Sequence, residues 1–177
     1  LDGAEMSAHH KDGTPLTVRV FIAPVNNRAG ETVGVMGMAE DITASKRLEA
    51  DLRQLIENSP SAIISMTQDS VIASWNPAAE KLFGWTAAEM VGTPYLASLI
   101  PPDERDRHAE QRQRTLSGGE VVQNQPRRRA KKDGSLVDVS VSIAPRMQTD
   151  GTVNGAVVIM SDMTERLQAE RALAQKN

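Results

Sequence analysis

Cysteine is absent from the 177 residues. That removes disulfide frameworks, thiolate zinc sites, thiol redox chemistry and any mechanism that needs a sulfur nucleophile. A flavin held through a cysteine adduct is excluded on the same ground. No apolar run approaches the roughly 20 residues of a membrane span. The first residues, Leu1-Asp2-Gly3-Ala4-Glu5, offer neither a basic region nor an apolar leader. An excess of one charge sign is missing too. Lys+Arg 20 against Asp+Glu 23 leaves a formal charge of −3, so nucleic-acid affinity would have to come from a local basic patch. The chain does not begin with Met and reads as a fragment of something longer. What is present is ordinary globular composition, 40% hydrophobic and 24% charged, enough for one domain of roughly 100–150 residues and some remainder.

The remainder is a repeat. Lys11-Asp12-Gly13 returns as Lys132-Asp133-Gly134, and Ile22-Ala23-Pro24 as Ile143-Ala144-Pro145, both at a shift of 121 positions. Without a gap, Val18, Val20, Gly30, Gly34, Asp41, Thr43, Glu49 and Leu52 meet Val139, Val141, Gly151, Gly155, Asp162, Thr164, Glu170 and Leu173, so 11–52 matches 132–173 at 14 of 42 positions. The period is too long for a solenoid and suits a tandem array of one small domain, the first copy represented by its C-terminal part.

The complete copy reads as strand, strand, short helices, a longer helix and three strands. Apolar runs at 62–66 and 71–75 flank Gln68-Asp69 as a hairpin. Asn76-Pro77 is an N-cap followed by proline at the first helical position, with a stop at Gly84. Thr86 and Glu89 have capping-box spacing for a second helix, closed by Gly92. After a further turn near 94–100, Pro101-Pro102 breaks the chain. Asp103 is expected to cap the longest helix of the domain, through about Leu116, ending at Ser117-Gly118-Gly119. The segment 120–130 is extended, and Asp133-Gly134 turns it into the alternation of Val137, Val139, Val141 and Ile143 with Asp138, Ser140 and Ser142. Asp150-Gly151 turns the chain again into a nearly continuous apolar strand, 155–160, of the kind found at a sheet's centre. This is an α+β order with an antiparallel sheet covered on one face.

Three motifs carry a resemblance: 72–85, Ile-Ala-Ser-Trp-Asn-Pro-Ala-Ala-Glu-Lys-Leu-Phe-Gly-Trp; the Lys132-Asp133-Gly134-Ser135 hairpin; and Ser161-Asp162-Met163-Thr164-Glu165-Arg166. The segment 59–166 resembles a PAS domain of bacterial sensor proteins, and 8–43 resembles the last three strands and exit motif of a preceding one. The resemblance implies the PAS fold, a five-stranded antiparallel sheet with helices on one face, flanked by coiled-coil-like helices. It divides the chain into the end of a first PAS domain (1–43), a connecting signalling helix (44–58), a complete PAS domain (59–164) and the start of an output helix (165–177). It implies a cytoplasmic sensory and dimerisation module upstream of a histidine kinase or diguanylate cyclase in a phosphorelay-type system. The chain itself is then not an enzyme, and it contacts neither nucleic acid nor membrane.

Several residues carry the expected function. Thr164 reads as the cap of the exit helix, with the Asp162 carboxylate near its positive end; Asp41 and Thr43 repeat the pair. In the family this junction is where a change in the sheet becomes a change in the helix. Leu48, Leu52 and Leu55, spaced 4 then 3, form a seam for a parallel homodimer, the alternative being a face packed on its own sheet. Ala169 and Leu173 stand at matching places later on. Trp75 and Asn76, with Met160 from the last strand and His108 from the long helix, mark a candidate ligand pocket, although Trp75 also reads as plain core.

His108 lies where haem-binding PAS sensors carry their iron ligand. Its helix has almost no apolar face to wall a porphyrin, so it reads first as a solvated histidine. The ligand is therefore unknown: none is the leading expectation, and haem or a small metabolite the alternative. A further alternative is a ligand-free dimerisation spacer. The basic run Arg127-Arg128-Arg129 with Lys131-Lys132 reads as a solvated hairpin, and His9-His10, a lone pair, as no metal site.

Overall fold

The structure, a computed structural model, describes residues 3–164 and divides into two compact units, Leu1–Leu55 and Ile56–Asn177. Among the described residues no helix is long and apolar enough to cross a membrane.

In the first unit, strands β1 (Ala4–His9), β2 (Pro15–Asn26) and β3 (Thr32–Asp41) form an antiparallel sheet in the order β1-β2-β3. Helix α1 (Thr43–Glu57) follows. The β1–β2 turn is built from the repeated Lys-Asp-Gly. The Asp12 carboxylate accepts the Thr14 N–H at 2.9 Å, and Gly13, at φ +86°, donates to the His10 carbonyl. Left-handed backbone there favours glycine. Asp133, Gly134 and Ser135 repeat the arrangement, with Ser135 N–H on Asp133 at 2.9 Å.

The second unit contains β4 (Ala62–Thr67), β5 (Ile72–Trp75), β6 (Val122–Ala130), β7 (Leu136–Met147) and β8 (Val153–Asp162). They form one antiparallel sheet ordered β5-β4-β8-β7-β6, so the apolar strand β8 is central, as its composition implies. Its helices are α2 (Pro77–Phe83), α3 (Ala87–Met90), α4 (Tyr95–Leu99) and α5 (Arg105–Gly118). Alternation in β7 sends Val137, Val139 and Val141 into the core. There they join Ile64, Phe83, Met90, Tyr95, Leu99, Val158 and Met160. The other face of the sheet is more open, and Ile159 of β8 is exposed. This is the five-stranded antiparallel sheet with helices on one face that the residue pattern predicts.

Asn76 holds this unit at its entry. Its side-chain oxygen accepts the Ala79 N–H at 3.0 Å, capping α2, and the Ile63 N–H at 2.9 Å. Its amide donates to the Ile56 and Ser61 carbonyls, each at 3.0 Å. One buried side chain thus ties the segment entering the unit, β4 and α2 together. Gly84 ends α2 in the left-handed region, and Thr86 with Glu89 forms the expected capping box on α3.

The start of α5 differs from expectation. A 3-10 turn, Pro102–Glu104, precedes the helix, which begins at Arg105 behind Glu104 with no side-chain cap. Proline's fixed φ starts the turn two residues early. Asp103 instead pairs with Arg128 of β6. At the other end Gly119 closes α5, donating to the Arg114 and Thr115 carbonyls.

Candidate functional site

The Asp-x-Thr segment that leaves the sheet makes the same two hydrogen bonds in both units. In the first unit the Asp41 carboxylate accepts the Thr43 N–H at 2.9 Å. In the second, Asp162 accepts the Thr164 N–H at 2.8 Å. Each junction also leans on the preceding strand: Ile42 N–H donates to the Thr17 carbonyl and Met163 N–H to the Asp138 carbonyl, both at 2.9 Å. In the first unit the capping roles are the reverse of those expected: Asp41, not Thr43, takes a free amide at the start of α1. The amides that Thr164 is expected to cap lie outside the described residues. The Thr43 hydroxyl is turned back onto β2, accepting the Thr17 N–H at 2.8 Å. Hydrogen bonding to Thr43 lowers the pKa of Asp41, so the carboxylate is held ionised beside the helix start. A sheet strand, its neighbour and a helix are therefore fastened at one point.

Leu48, Leu52 and Leu55 are exposed on α1, at 61%, 52% and 70%, so this face is not covered by the sheet that precedes it. Ala169 and Leu173 lie outside the described residues, as does the output helix start.

The residues of the candidate pocket are placed apart in role. Trp75 is buried in the core, tilted against Phe83 with ring centroids 5.6 Å apart, and its indole N–H donates to the Trp85 carbonyl at 3.0 Å. All the side-chain polar groups of Asn76 are engaged as described above, and Met160 is fully buried.

His108 is half-buried rather than solvated. Its ring stacks on Tyr95 at 5.4 Å. Burial, then the positive charges of Arg129 and Arg112, push its pKa down to about 4. The exposure expected from a polar helix misses that α5 lays one stripe, His108, Gln111 and Thr115, against the sheet. The space beside the imidazole is small. A cavity of about 30 Å³ is lined by Met66, Ser70, His108, Arg112, Thr115 and Ile143, and another of about 10 Å³ reaches Arg129 and Val141. A porphyrin needs a pocket of several hundred Å³, so haem does not fit this packing.

The basic run also departs from a solvated hairpin. Arg129 is 3% exposed, with Glu104 at 3.5 Å, and its Nε has no partner among the described residues. Strand alternation supplies the reason: Arg127 and Arg129 stand opposite Val139 and Val137 of β7, whose side chains face the core, while Arg128 is exposed. Lys132 lies 5.1 Å from the Trp85 ring centroid and pairs with Glu89. Along the outer side of α5 and β6 runs a cleft of about 350 Å³ whose walls include Arg107, Arg114 and Arg127. Of the basic run only Arg127 reaches this cleft, and Arg107 and Arg114 come from α5, so the site becomes legible only once α5 is laid beside β6. No group of His, Asp or Glu arranged to hold a metal occurs among the described residues.

Comparison with known proteins agrees with this architecture. A family model described as "PAS fold" matches residues 50–163, and one described as "PAS domain" matches 2–44. The probable diguanylate cyclase DgcE of Escherichia coli strain K12 is 27% identical over 170 residues, which cover 89% of this chain and 15% of that protein. The sensor protein FixL of Bradyrhizobium diazoefficiens is 27% identical over 173 residues, covering 89% of this chain and 33% of its own length. The chain thus spans a third or less of these relatives. Among solved structures, a PAS domain from Colwellia psychrerythraea superposes with TM-score 0.59 at 20% identity, covering 67% of this chain and 98% of that one. An RNA-binding light-oxygen-voltage receptor superposes with TM-score 0.62 at 22% identity, covering 92% and 44%.

Proposed function

Because the chain belongs to the PAS family, we propose that it is a sensory module that relays a stimulus to an output domain of the same parent protein. The output is a histidine kinase or diguanylate cyclase on the cytoplasmic side, and catalysis belongs to that domain rather than to this one. The observation that carries the proposal is the duplicated Asp-x-Thr junction. In each unit a carboxylate at the end of a sheet strand accepts the amide of the threonine two residues on, at 2.9 and 2.8 Å, and in the first unit that threonine begins α1. A shift of the sheet cannot leave that helix end where it was. Sensor kinases and a diguanylate cyclase among the relatives support the same reading.

The relay acts between paired helices, with the exposed leucines of α1 as the seam of a parallel homodimer. Exposed apolar residues at 4-then-3 spacing are stabilised by a second copy. The sheet and its helices have two packings, and the exit helices rotate or tighten between them.

The test is Asp162→Ala in the full-length parent, assayed for output with and without stimulus. Loss of the stimulus-dependent change, with the protein still folded, is the expected result. Output that responds as in the wild type would sink the coupling role.

A further inference from the structure

The cleft between α5 and β6 collects positive charge that the fold neutralises only in part. On α5, Arg107, Gln111 and Arg114 recur at helical spacing and line one wall, and Gln125 and Arg127 of β6 line the other. Two carboxylates also line it, Glu110 and Glu120, against the three arginines, and Glu120 makes no ion pair among the described residues. Glu110 pairs with Arg114 at 3.6 Å along the helix, and Glu104 lies 3.5 Å from Arg129. Among the described residues, no carboxylate comes within ion-pair distance of Arg107 or Arg127. Burial, then the charge of Arg107, lowers the pKa of Arg127 against the opposing carboxylate of Glu104.

Below the cleft, the small inner cavity shares Arg107, Gln111 and Arg127 with it and reaches Arg129. Arg129 donates through one terminal nitrogen to the Arg128 carbonyl, but its Nε is buried with no partner among the described residues. A buried guanidinium donor without an acceptor is costly, and a cation cluster in a recess is relieved most directly by an anion. Guanidinium groups in a fixed fork match the two oxygens of a carboxylate or phosphate. The Gln111 and Gln125 amides add uncharged donors and acceptors. The cleft's 350 Å³ lies within the range of small-molecule sites.

We infer that this cleft binds a small metabolite bearing carboxylate or phosphate groups, seated by Arg107 and Arg127 with Arg129 beneath. The inference rests on the sensory reading above and names the class of its stimulus. An anion drawn in here bridges α5 to the edge strand of the same sheet whose central strand ends at Asp162. Ligand binding and sheet position are then linked.

The test uses the whole chain. Thermal unfolding and titration calorimetry are run with citrate, succinate and inorganic phosphate, each against sodium chloride of equal ionic strength. At least one of the three should raise the melting temperature above the chloride control and bind with one-to-one stoichiometry. The carboxylate and phosphate arms tell the two sources of oxyanion apart. Arg107→Gln and Arg127→Gln should each weaken that binding about tenfold or more, in line with the loss of one charge-assisted pair. Arg107 is exposed on a helix, so its variant folds even where the half-buried Arg127 variant does not. No binding beyond the chloride control overturns the inference, as does binding unchanged in Arg107→Gln. So does preference for a short single-stranded RNA over all three anions. Binding is read on the chain alone and relay on the parent's output, so the two proposals fail separately. Anion binding with a silent Asp162→Ala result removes the relay, and a working relay without anion binding removes the cleft.

Discussion

Strands β3 and β8 are the same strand of the repeat in two environments. The ladder β2–β3 pairs Val18 with Asp41, Ala23 with Met36 and Val25 with Gly34, and it slips after Val25. The ladder β7–β8 pairs Val139 with Asp162, Ala144 with Val157 and Arg146 with Gly155, and it slips after Arg146. Every pair is displaced by the same 121 positions, bulge included. Yet all ten residues of β3 are exposed, whereas Ala156, Val158 and Met160 of β8 are buried. What differs is the other edge. β8 is paired from Ala62–Met160 to Thr67–Gly155 with β4, and helices cover its inner face. β3 is an end strand of its sheet. Register and turns are therefore local properties of the repeated segment, while burial comes from elements outside it. Function-bearing differences follow the same line: the position of the buried Arg129 is an alanine, Ala8, in the first copy.

The sharpest way to break this comparison is a matched pair of substitutions. A Cβ on Gly155 would stand 2.0 Å from the Met66 carbonyl oxygen, and the residue sits at φ +154°. The obstacle is backbone, so β4 must move away from β8. Gly34, at the equivalent place, has nothing within 4 Å. Gly155→Ala is expected to cost about 3–4 kcal/mol, and Gly34→Ala less than about 1 kcal/mol in either direction. Urea unfolding of the whole chain reads the first through tryptophan fluorescence, since Trp75 and Trp85 both lie in the second unit, and the second through circular dichroism. Equal effects would mean that β3 is as tightly enclosed as β8.

Asn76 has no counterpart in the first unit, and its loss should rank next. Removing a buried side chain that makes four hydrogen bonds and caps α2 is expected to cost about 2–3 kcal/mol in Asn76→Ala. Asn76→Asp keeps the accepting oxygen but sets a buried carboxylate oxygen against the Ile56 and Ser61 carbonyls, so at neutral pH it should cost at least as much as the alanine variant. Fluorescence-monitored urea midpoints check the order. A loss under about 0.5 kcal/mol for the alanine variant would show that backbone pairing alone holds the entry to this unit.

The third test is by pH. His108 titrates near 4 when folded against an ordinary value of 6.5, so between those values the unfolded chain binds a proton that the folded chain refuses. Stability must then fall as pH drops from about 6.5 towards 4, and be indifferent to this residue above that window. The loss is on the order of 1–2 kcal/mol after allowing for partial solvent contact. His108→Gln should flatten this part of the stability profile, measured by urea unfolding at stepped pH. A profile unchanged by the substitution would place the imidazole in water.

These residues also mark where the sequence is legible. The Asp-Gly turns, the Asn76-Pro77 cap, the Thr86 capping box and the alternation of β7 are local signals, and each appears in the structure where the residues put it. Positions settled by distant partners are not legible in this way. Asp103 looks like a helix cap until Pro102 starts a turn and Arg128 claims the carboxylate. Arg129 looks solvated because arginine usually is. The alternation that would place it inward is readable only with β7 in register beside it. His108 belongs to the same class, since the polar helix α5 gives no apolar stripe to show which side meets the sheet.

The smallest effect on stability should come from the surface to which the relay reading gives the largest role in assembly. Leu52 is exposed on α1, so Leu52→Glu removes little buried area and should change the unfolding free energy at high dilution by no more than about 0.5 kcal/mol. In a dimer seam the same change places like charges face to face where apolar side chains met, and association is lost. Sedimentation velocity across a concentration series separates the two consequences: concentration-dependent dimers for the wild-type chain and monomers for Leu52→Glu at every concentration. A dimer that survives the glutamate would move the interface off α1. A variant that unfolds would show that the leucines are held by their own unit, and the exposed seam would no longer distinguish the helix between the units from the helices that cover the second sheet.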